Sequence, residues 1–289
     1  MTDRHRRTSG TPRSERAVKW FVTLPPSVYL VAFFLLPSLI MVAASFRTPG
    51  AFGGLEPLRA PDGSLQLSAD TYRFLFGDWI YLEIVGKSIL VAAVTTLLCL
   101  LLSYPLALLI AKSPRRHRDF LVLLVVLPFA ANFLIRVYAW ILMLGPMNVL
   151  YSPVAVIVGM VYVHLPFMIL PLYTNLEKHD PALLEAAQDL GAPRWTRFWR
   201  VTWPLSLPGV WSGTALVFIP VLGMFAIPEL MGGTGDILIG NLIKEQFLDN
   251  RDWPLGSALS LVLTAVVLVL AGGAVLAGRR RRRLAKGGA

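Results

Sequence analysis

A chain of 289 residues that is 55% apolar and only 15% charged has too few polar side chains to coat a water-soluble fold. That composition excludes an ordinary globular enzyme and places the chain in a membrane. The formal net charge of +10 does not indicate a nucleic-acid binder, because the arginines sit in tails and alternate loops rather than on one face.

Residues 1–18 are rich in Arg, Thr, Ser and Pro, cannot bury a core, and are predicted to be a disordered cytoplasmic tail against anionic lipid. Charge-free runs then predict six transmembrane helices, since a bilayer core takes about 20 residues per helix. The first covers 19–46, bent by Pro25, Pro26 and Pro37, and is too long for the apolar core of a signal peptide. An outer loop over 47–82 ends at Trp79 and Tyr81, aromatic anchors of the kind found at interfaces, and offers a soluble partner a resting place. The second helix covers 83–111, the third 119–144, and the fourth 154–174, interrupted by Pro166 and Pro171. A polar segment over 175–207 precedes the fifth helix, 208–231, in which Gly209 and Gly213 allow close helix contact and Pro220 and Pro228 predict kinks. A second outer loop over 232–252, a sixth helix over 253–278 and a basic tail over 279–289 complete the chain. Lys and Arg gather in both tails, in the second loop (Lys112, Arg115, Arg116, Arg118) and in the polar segment (Lys178, Arg194, Arg197, Arg200), so both termini are predicted to be cytoplasmic. The lone Cys99 permits no intrachain disulfide and reads as a packing residue.

The polar stretch from Asp180 to Pro204 reads as two short helices meeting at a turn. Asp180 caps the first, Pro181 takes its first position, and Gly191 ends it. Leu183, Ala186, Ala187 and Leu190 fall on one face, and Glu185, Gln188 and Asp189 on another. After Pro193 the same spacing recurs with Trp195, Phe198, Trp199 and Thr202, with Arg194, Arg197 and Arg200 off that face. Aromatic body and cationic rim suit a bilayer surface. The string Glu185-Ala186-Ala187, three residues, Gly191, nine residues, Val201, one residue, Trp203-Pro204 resembles the EAA loop of membrane subunits of type I ATP-binding-cassette (ABC) importers. Val201 and Trp203 replace an isoleucine and a leucine of that pattern, apolar for apolar. The resemblance implies an all-α permease fold in a bacterial inner membrane. It also implies a coupling helix, with Glu185, Ala186, Ala187, Leu190 and Gly191 docking in a cytoplasmic ABC ATPase dimer.

Asn132 to Trp140, Leu165 to Leu172 with Glu177-Lys178, and above all Glu229 to Trp253 are similar to the B-type permeases of spermidine/putrescine importers. The connection Gly-Pro-Met-Asn-Val-Leu-Tyr before Ala155 is shorter than the corresponding segment of that family. This likeness implies a polyamine substrate, a second homologous permease, and a periplasmic or surface-tethered binding protein. It implies no cofactor in this chain, ATP and magnesium being used by the partner ATPase. In agreement, the sequence has no Gly-x-x-x-x-Gly-Lys-Ser/Thr loop. His5, His117, His164 and His179 lack ligand spacing for a metal, and His164 reads as bonded to a neighbouring helix.

A polyamine path asks for carboxylates spaced along aromatic faces. Glu229 and Glu83 lie at outer helix ends, with Tyr138, Trp140 and Tyr162 on helices three and four. Arg136 would repel a cation there; it pairs with Glu229 or Glu83, or serves a different solute such as an anion or iron. Asn132, one turn earlier, orients Arg136 or lines the path. A secondary transporter would need an intramembrane charge relay, and an intramembrane enzyme a clustered His, Asp or Ser constellation. The sequence offers neither.

Overall fold

The computed structural model describes residues 12–59 and 65–287. Apolar runs become helices because only a helix satisfies every backbone polar group within its own segment when water is excluded. In order they are α1 (Pro12–Ser45), α2 (Asp70–Gly77), α3 (Trp79–Lys112), α4 (Arg115–Ala130), α5 (Phe133–Leu144), α6 (Pro153–Leu176), α7 (Pro181–Asp189), α8 (Arg194–Arg197), α9 (Trp203–Leu222), α10 (Ala226–Met231), α11 (Ile239–Leu248) and α12 (Trp253–Gly287). A 3-10 turn over Gly145–Met147 follows α5, and a π turn over Phe198–Thr202 joins α8 to α9. Among the described residues the only extended pairings are isolated bridges, Pro49 to Leu55 and Arg59 to Leu65.

Five stretches are long and apolar enough to cross a bilayer: Trp20–Ser45, α3, α6, Arg194–Leu222 and Trp253–Gly273. The sixth is the bent pair of α4 and α5. Arg118 at the start of α4 meets Glu177 after α6, while Tyr151, beyond α5, donates its backbone N–H to Met231 at the opposite end. The pair therefore runs from one end of the molecule to the other, as one broken span.

Several expected boundaries move. The third helix is not continuous over 119–144: α4 and α5 meet at 92°. Pro128 sits in the last turn of α4, Ala131 is extended, and Asn132 caps α5 by accepting from the Leu134 N–H at 2.9 Å. The fifth does not run over 208–231. It starts earlier, in the α8 and π-turn segment, and stops at Leu222 before Gly223, with α10 as a separate turn. Conversely, Pro166 and Pro171 do not interrupt α6, which stays helical from Pro153 to Leu176. In lipid the freed carbonyls find local adjustment more cheaply than a broken helix would find water. Trp79 and Tyr81 belong to α3, which Asp78 caps at the Ile80 N–H, and the outer loop contains α2. Of the expected disordered tail, residues 12–18 are helical, and residues 1–11 lie outside those described.

The core is the triangle of α3, α6 and α9. On α3 the buried face is mostly small side chains, Ala92, Thr95, Thr96, Cys99, Ser103 and Ala107, with Tyr104 and Ile110 toward its end. Small side chains of this kind let backbones approach and bond across helices, which drives association where lipid is as apolar as leucine. Cys99 donates to the Val161 carbonyl at 3.7 Å and Ser103 to the Leu165 carbonyl at 3.5 Å. Against α6, α9 uses Gly209 and Gly213. A Cβ at Gly209 would lie 2.8 Å from the Asn175 Cβ, and one at Gly213 would lie 2.6 Å from the Met168 sulfur. At the other end α2, α11 and α12 share a smaller cluster around Leu75, Leu242 and Leu259. α1 lies along α12 and leaves most of its apolar surface outward, as a bilayer-facing helix does.

Close approach predicts a ranking of glycine substitutions. At Gly240 a Cβ would meet only backbone, the Gly223 oxygen at 2.7 Å and the Met224 oxygen at 2.9 Å, so Gly240→Ala should cost about 1–3 kcal/mol. Gly213→Ala should cost less, because the thioether of Met168 can swing away. Unfolding temperatures in detergent check this: equal shifts for the two variants would show that the α11 contact with the α9 break is loose.

Candidate functional site

The polar loop between α6 and α9 folds as its residues dictate. Asp180 accepts from the Ala182 N–H at 3.0 Å, Pro181 occupies the first helical position, and α7 closes with the Ala192 N–H on the Ala187 carbonyl and the Gly191 N–H on the Gln188 carbonyl. That paired closure needs a left-handed residue at Gly191, whose φ is +75°. No atom lies within 4 Å of a Cβ built there, so glycine is required by backbone conformation and not by space.

The apolar face of α7 divides. Leu184 and Ala187 turn partly inward, and the Arg197 guanidinium donates to Gln188 Oε1 at 2.5 Å, tying the helix to α8. Leu183 (49% exposed), Ala186 and Leu190 (87%) turn outward beside Glu185, with nothing over them. The second amphipathic stretch is the first turns of the α9 span. Phe198 and Trp203 pack on Tyr104 of α3, with ring centres 5.7 and 5.4 Å away, and the Tyr104 hydroxyl bonds Ser206 at 2.9 Å. Trp195 and Trp199 remain exposed.

Further contacts fix the loop to the bundle. Arg118 pairs with Glu177 at 2.6 Å and donates to the Ala111 carbonyl at 3.0 Å, joining the α3–α4 junction to the end of α6. The Tyr173 hydroxyl first, then Arg118, hold the Glu177 carboxyl below its usual range. His179 bonds the Leu205 carbonyl at 3.1 Å. These ties hold the two ends of the loop, while α7 itself is tied to α8 through Gln188.

At the opposite end the residues expected along a path do not converge. Trp140 and Tyr162 pack edge to face at 5.4 Å against the core. Glu83 and Tyr138 are exposed, and Glu83 makes no ion pair among the described residues. Asn132 is exposed and caps α5, and no hydrogen bond joins its side chain to Arg136 among the described residues. Arg136 pairs with neither Glu229 nor Glu83: its guanidinium lies 5.5 Å from the Phe129 ring centre, and its buried Nε has no partner. Glu229 is taken by Lys244 at 2.9 Å, which also reaches Asp249 at 3.4 Å. Glu229 first, then Asp249, hold the Lys244 ammonium above its usual pKa. Nearby, Lys87 donates to the Gly235 carbonyl and to Asp236 at 3.3 Å. Sequence reasoning missed Lys244. The sequence does not single Lys244 out, because Arg251 also stands among the acids of its segment. His164 bonds the Met160 carbonyl of its own helix at 2.8 Å, not a neighbouring helix.

Comparisons with known proteins agree with this geometry. The model of the family described as "Binding-protein-dependent transport system inner membrane component" matches residues 103–283. The chain is 40% identical over 263 residues to the spermidine/putrescine transport system permease protein PotB of Haemophilus influenzae, covering 84% of this chain and 87% of that one. It is also 40% identical over 256 residues to PotB of Escherichia coli K12, covering 83% and 90%. Among solved structures, a bacterial ABC transporter involved in the import of the acidic polysaccharide alginate matches with a TM-score of 0.68 over 92% of this chain and 96% of that one. At 19% identity that match speaks to the fold alone. A six-span helical bundle, an outward-facing α7 and these matches converge on one conclusion: the chain belongs to the family of binding-protein-dependent transport system inner membrane components and is a multi-pass inner-membrane permease subunit of the ABC type.

Proposed function

We propose that this permease translocates polyamines, spermidine or putrescine, in an ATP-driven importer, and that α7 is the helix through which ATP hydrolysis moves it. The outward stripe of Leu183, Ala186 and Leu190 carries the coupling reading. An apolar stripe standing in water gains by being covered, and the groove of a cytoplasmic ATPase dimer is the cover proposed here. Glu185 borders the stripe as a polar docking contact. ATP and magnesium belong to that ATPase, and this chain holds no cofactor of its own. Both termini share the ATPase side of the membrane.

Closure of the ATPases would pull α7; its tie to α8, and the contacts that hold the loop ends to α4 and α9, would carry the displacement into the bundle. A binding protein loaded with cargo would favour the outward-open state through its higher affinity for it. Glu83, Asn132, Tyr138 and Glu229 are exposed at or near the outer half, and a second homologous permease would supply the facing wall of the passage.

Cargo rests on the extent of the likeness to the PotB proteins and on one feature of the outer end. Glu229 and Asp249 already hold an ammonium, that of Lys244, and a polyamine ammonium presents the same chemistry. A second reading, an anionic solute, is favoured by Arg136, whose charge has no carboxylate partner among the described residues.

Assembled transporter with its binding protein in liposomes should take up labelled putrescine or spermidine saturably and with ATP. Glu229→Gln should reduce that uptake at equal assembly. If an ATP-active complex takes up neither compound, the cargo reading fails; loss of oxyanion uptake in Arg136→Gln would then establish the second.

Coupling has its own test. Gly191→Ala places a Cβ in a left-handed position, a strain of roughly 1–2 kcal/mol that should tilt α7 and lower uptake severalfold without changing insertion. Gly191→Asn, which tolerates that conformation, should retain most of it. Equal uptake in all three proteins would show that the orientation of α7 does not matter.

A further inference from the structure

Where α3 ends, an open cleft of about 240 Å³ lies between α3, α7 and α8. Three cations ring it: Lys112, the last residue of the α3 span, with Arg194 and Arg197 of α8. Its remaining lining is apolar, Leu108, Leu184 and Phe198, apart from the Thr202 hydroxyl. No carboxylate lines the cleft, and among the described residues Lys112 and Arg194 make no ion pair or side-chain hydrogen bond. Such a ring repels itself unless an anion sits within it.

Position says which anion. Lys112 closes a membrane-spanning helix, and Trp195 (72% exposed) and Trp199 (48%) extend from the same short segment as Arg194 and Arg197. Exposed tryptophans beside cations at the end of a span mark the headgroup level of a bilayer, and basic pockets there accept acidic headgroups. The apolar lining suits the glycerol end of a lipid and gives nothing to a free ion. We propose that this cleft binds the phosphate headgroup of an anionic phospholipid and that the bound lipid steadies the coupling helix. Arg197 lines the cleft and also holds Gln188, while Leu184 of α7 forms part of its wall. A phosphate seated here fixes the guanidinium that fixes α7. The steadying role rests on the reading of α7 as the coupling helix; occupancy of the cleft does not.

The test uses the assembled transporter in lipid nanodiscs of phosphatidylcholine with increasing phosphatidylglycerol. Lipid retention is read by native mass spectrometry, and polyamine-stimulated ATP hydrolysis is read in parallel. Lys112→Gln and Arg194→Gln should each weaken phosphatidylglycerol retention about fivefold, and the pair roughly 30-fold, while Lys112→Arg and Arg194→Lys keep it. Arg115→Gln with Arg116→Gln removes the same charge outside the cleft and should leave retention unchanged. Hydrolysis by the native complex should rise with phosphatidylglycerol, and that rise should vanish in the Lys112/Arg194 double variant. Four results would overturn the proposal. They are undiminished retention in the double variant, an equal loss in the Arg115/Arg116 control, displacement of the lipid by inorganic phosphate, and release of the ATPase by the double variant whatever the lipid. Failure of polyamine stimulation alone, with retention behaving as stated, would count against the cargo and not against the lipid site.

Discussion

The close approach of α3, α6 and α9 through small side chains is the constraint on which the rest of the molecule depends. In a bilayer, burying leucine against leucine gains little over leaving it in lipid, so helices hold together where backbones can come near and where hydroxyls reach neighbouring carbonyls. Ala92, Cys99, Ser103 and Ala107 on α3, with Gly209 and Gly213 on α9, supply that nearness. Large side chains at these positions would separate the three helices, and the loop that α6 and α9 carry would lose its footing.

That footing gives α7 its character. It is short and exposed on one side, yet it is joined to two packed spans and held by Gln188, by the turn at Gly191 and by the neighbouring Arg118–Glu177 pair. Polar ties at this end are local and water-accessible, where single ion pairs contribute little to stability. Their effect is geometric: they set the direction in which the outward stripe points. At the other end, Lys244 between Glu229 and Asp249, and Lys87 on Asp236, draw α3, α10 and α11 together around the break in the fifth span. The triangle of α3, α6 and α9 is the most closely packed connection between the two ends.

Much of this was legible in the residues. Charge-free runs near bilayer length identified the spans, and the order Asp-Pro to Gly identified α7 with its cap and stop, because these signals are local. Breaks inside apolar runs were harder to read. Pro128 with Asn132 ends α4 and caps α5, whereas Pro166 and Pro171, of the same residue type, leave α6 whole. The difference lies in whether a capping side chain and an extended residue follow. Tertiary partners were beyond reach: Lys244 meets Glu229 from fifteen residues away across two helices and a turn, and no periodicity announces it. The local partners of Asn132 and Arg136 were hidden for the same reason: Asn132 caps α5, and Arg136 lies against Phe129 in place of the expected carboxylate. The cationic cleft escaped notice because its residues come from α3 and from α7, α8 and the π turn, which are far from α3 in the chain and meet it only in the folded molecule.

Whether α7 is the surface that meets the ATPase can be asked directly with a photo-reactive side chain at Leu190, compared with one at Leu142, a similarly exposed apolar position on α5. In the assembled transporter, position 190 should cross-link to the ATPase and position 142 only to lipid or another permease. Cross-links from position 190 to lipid alone would make α7 a membrane-surface helix and show that it is not the surface that meets the ATPase.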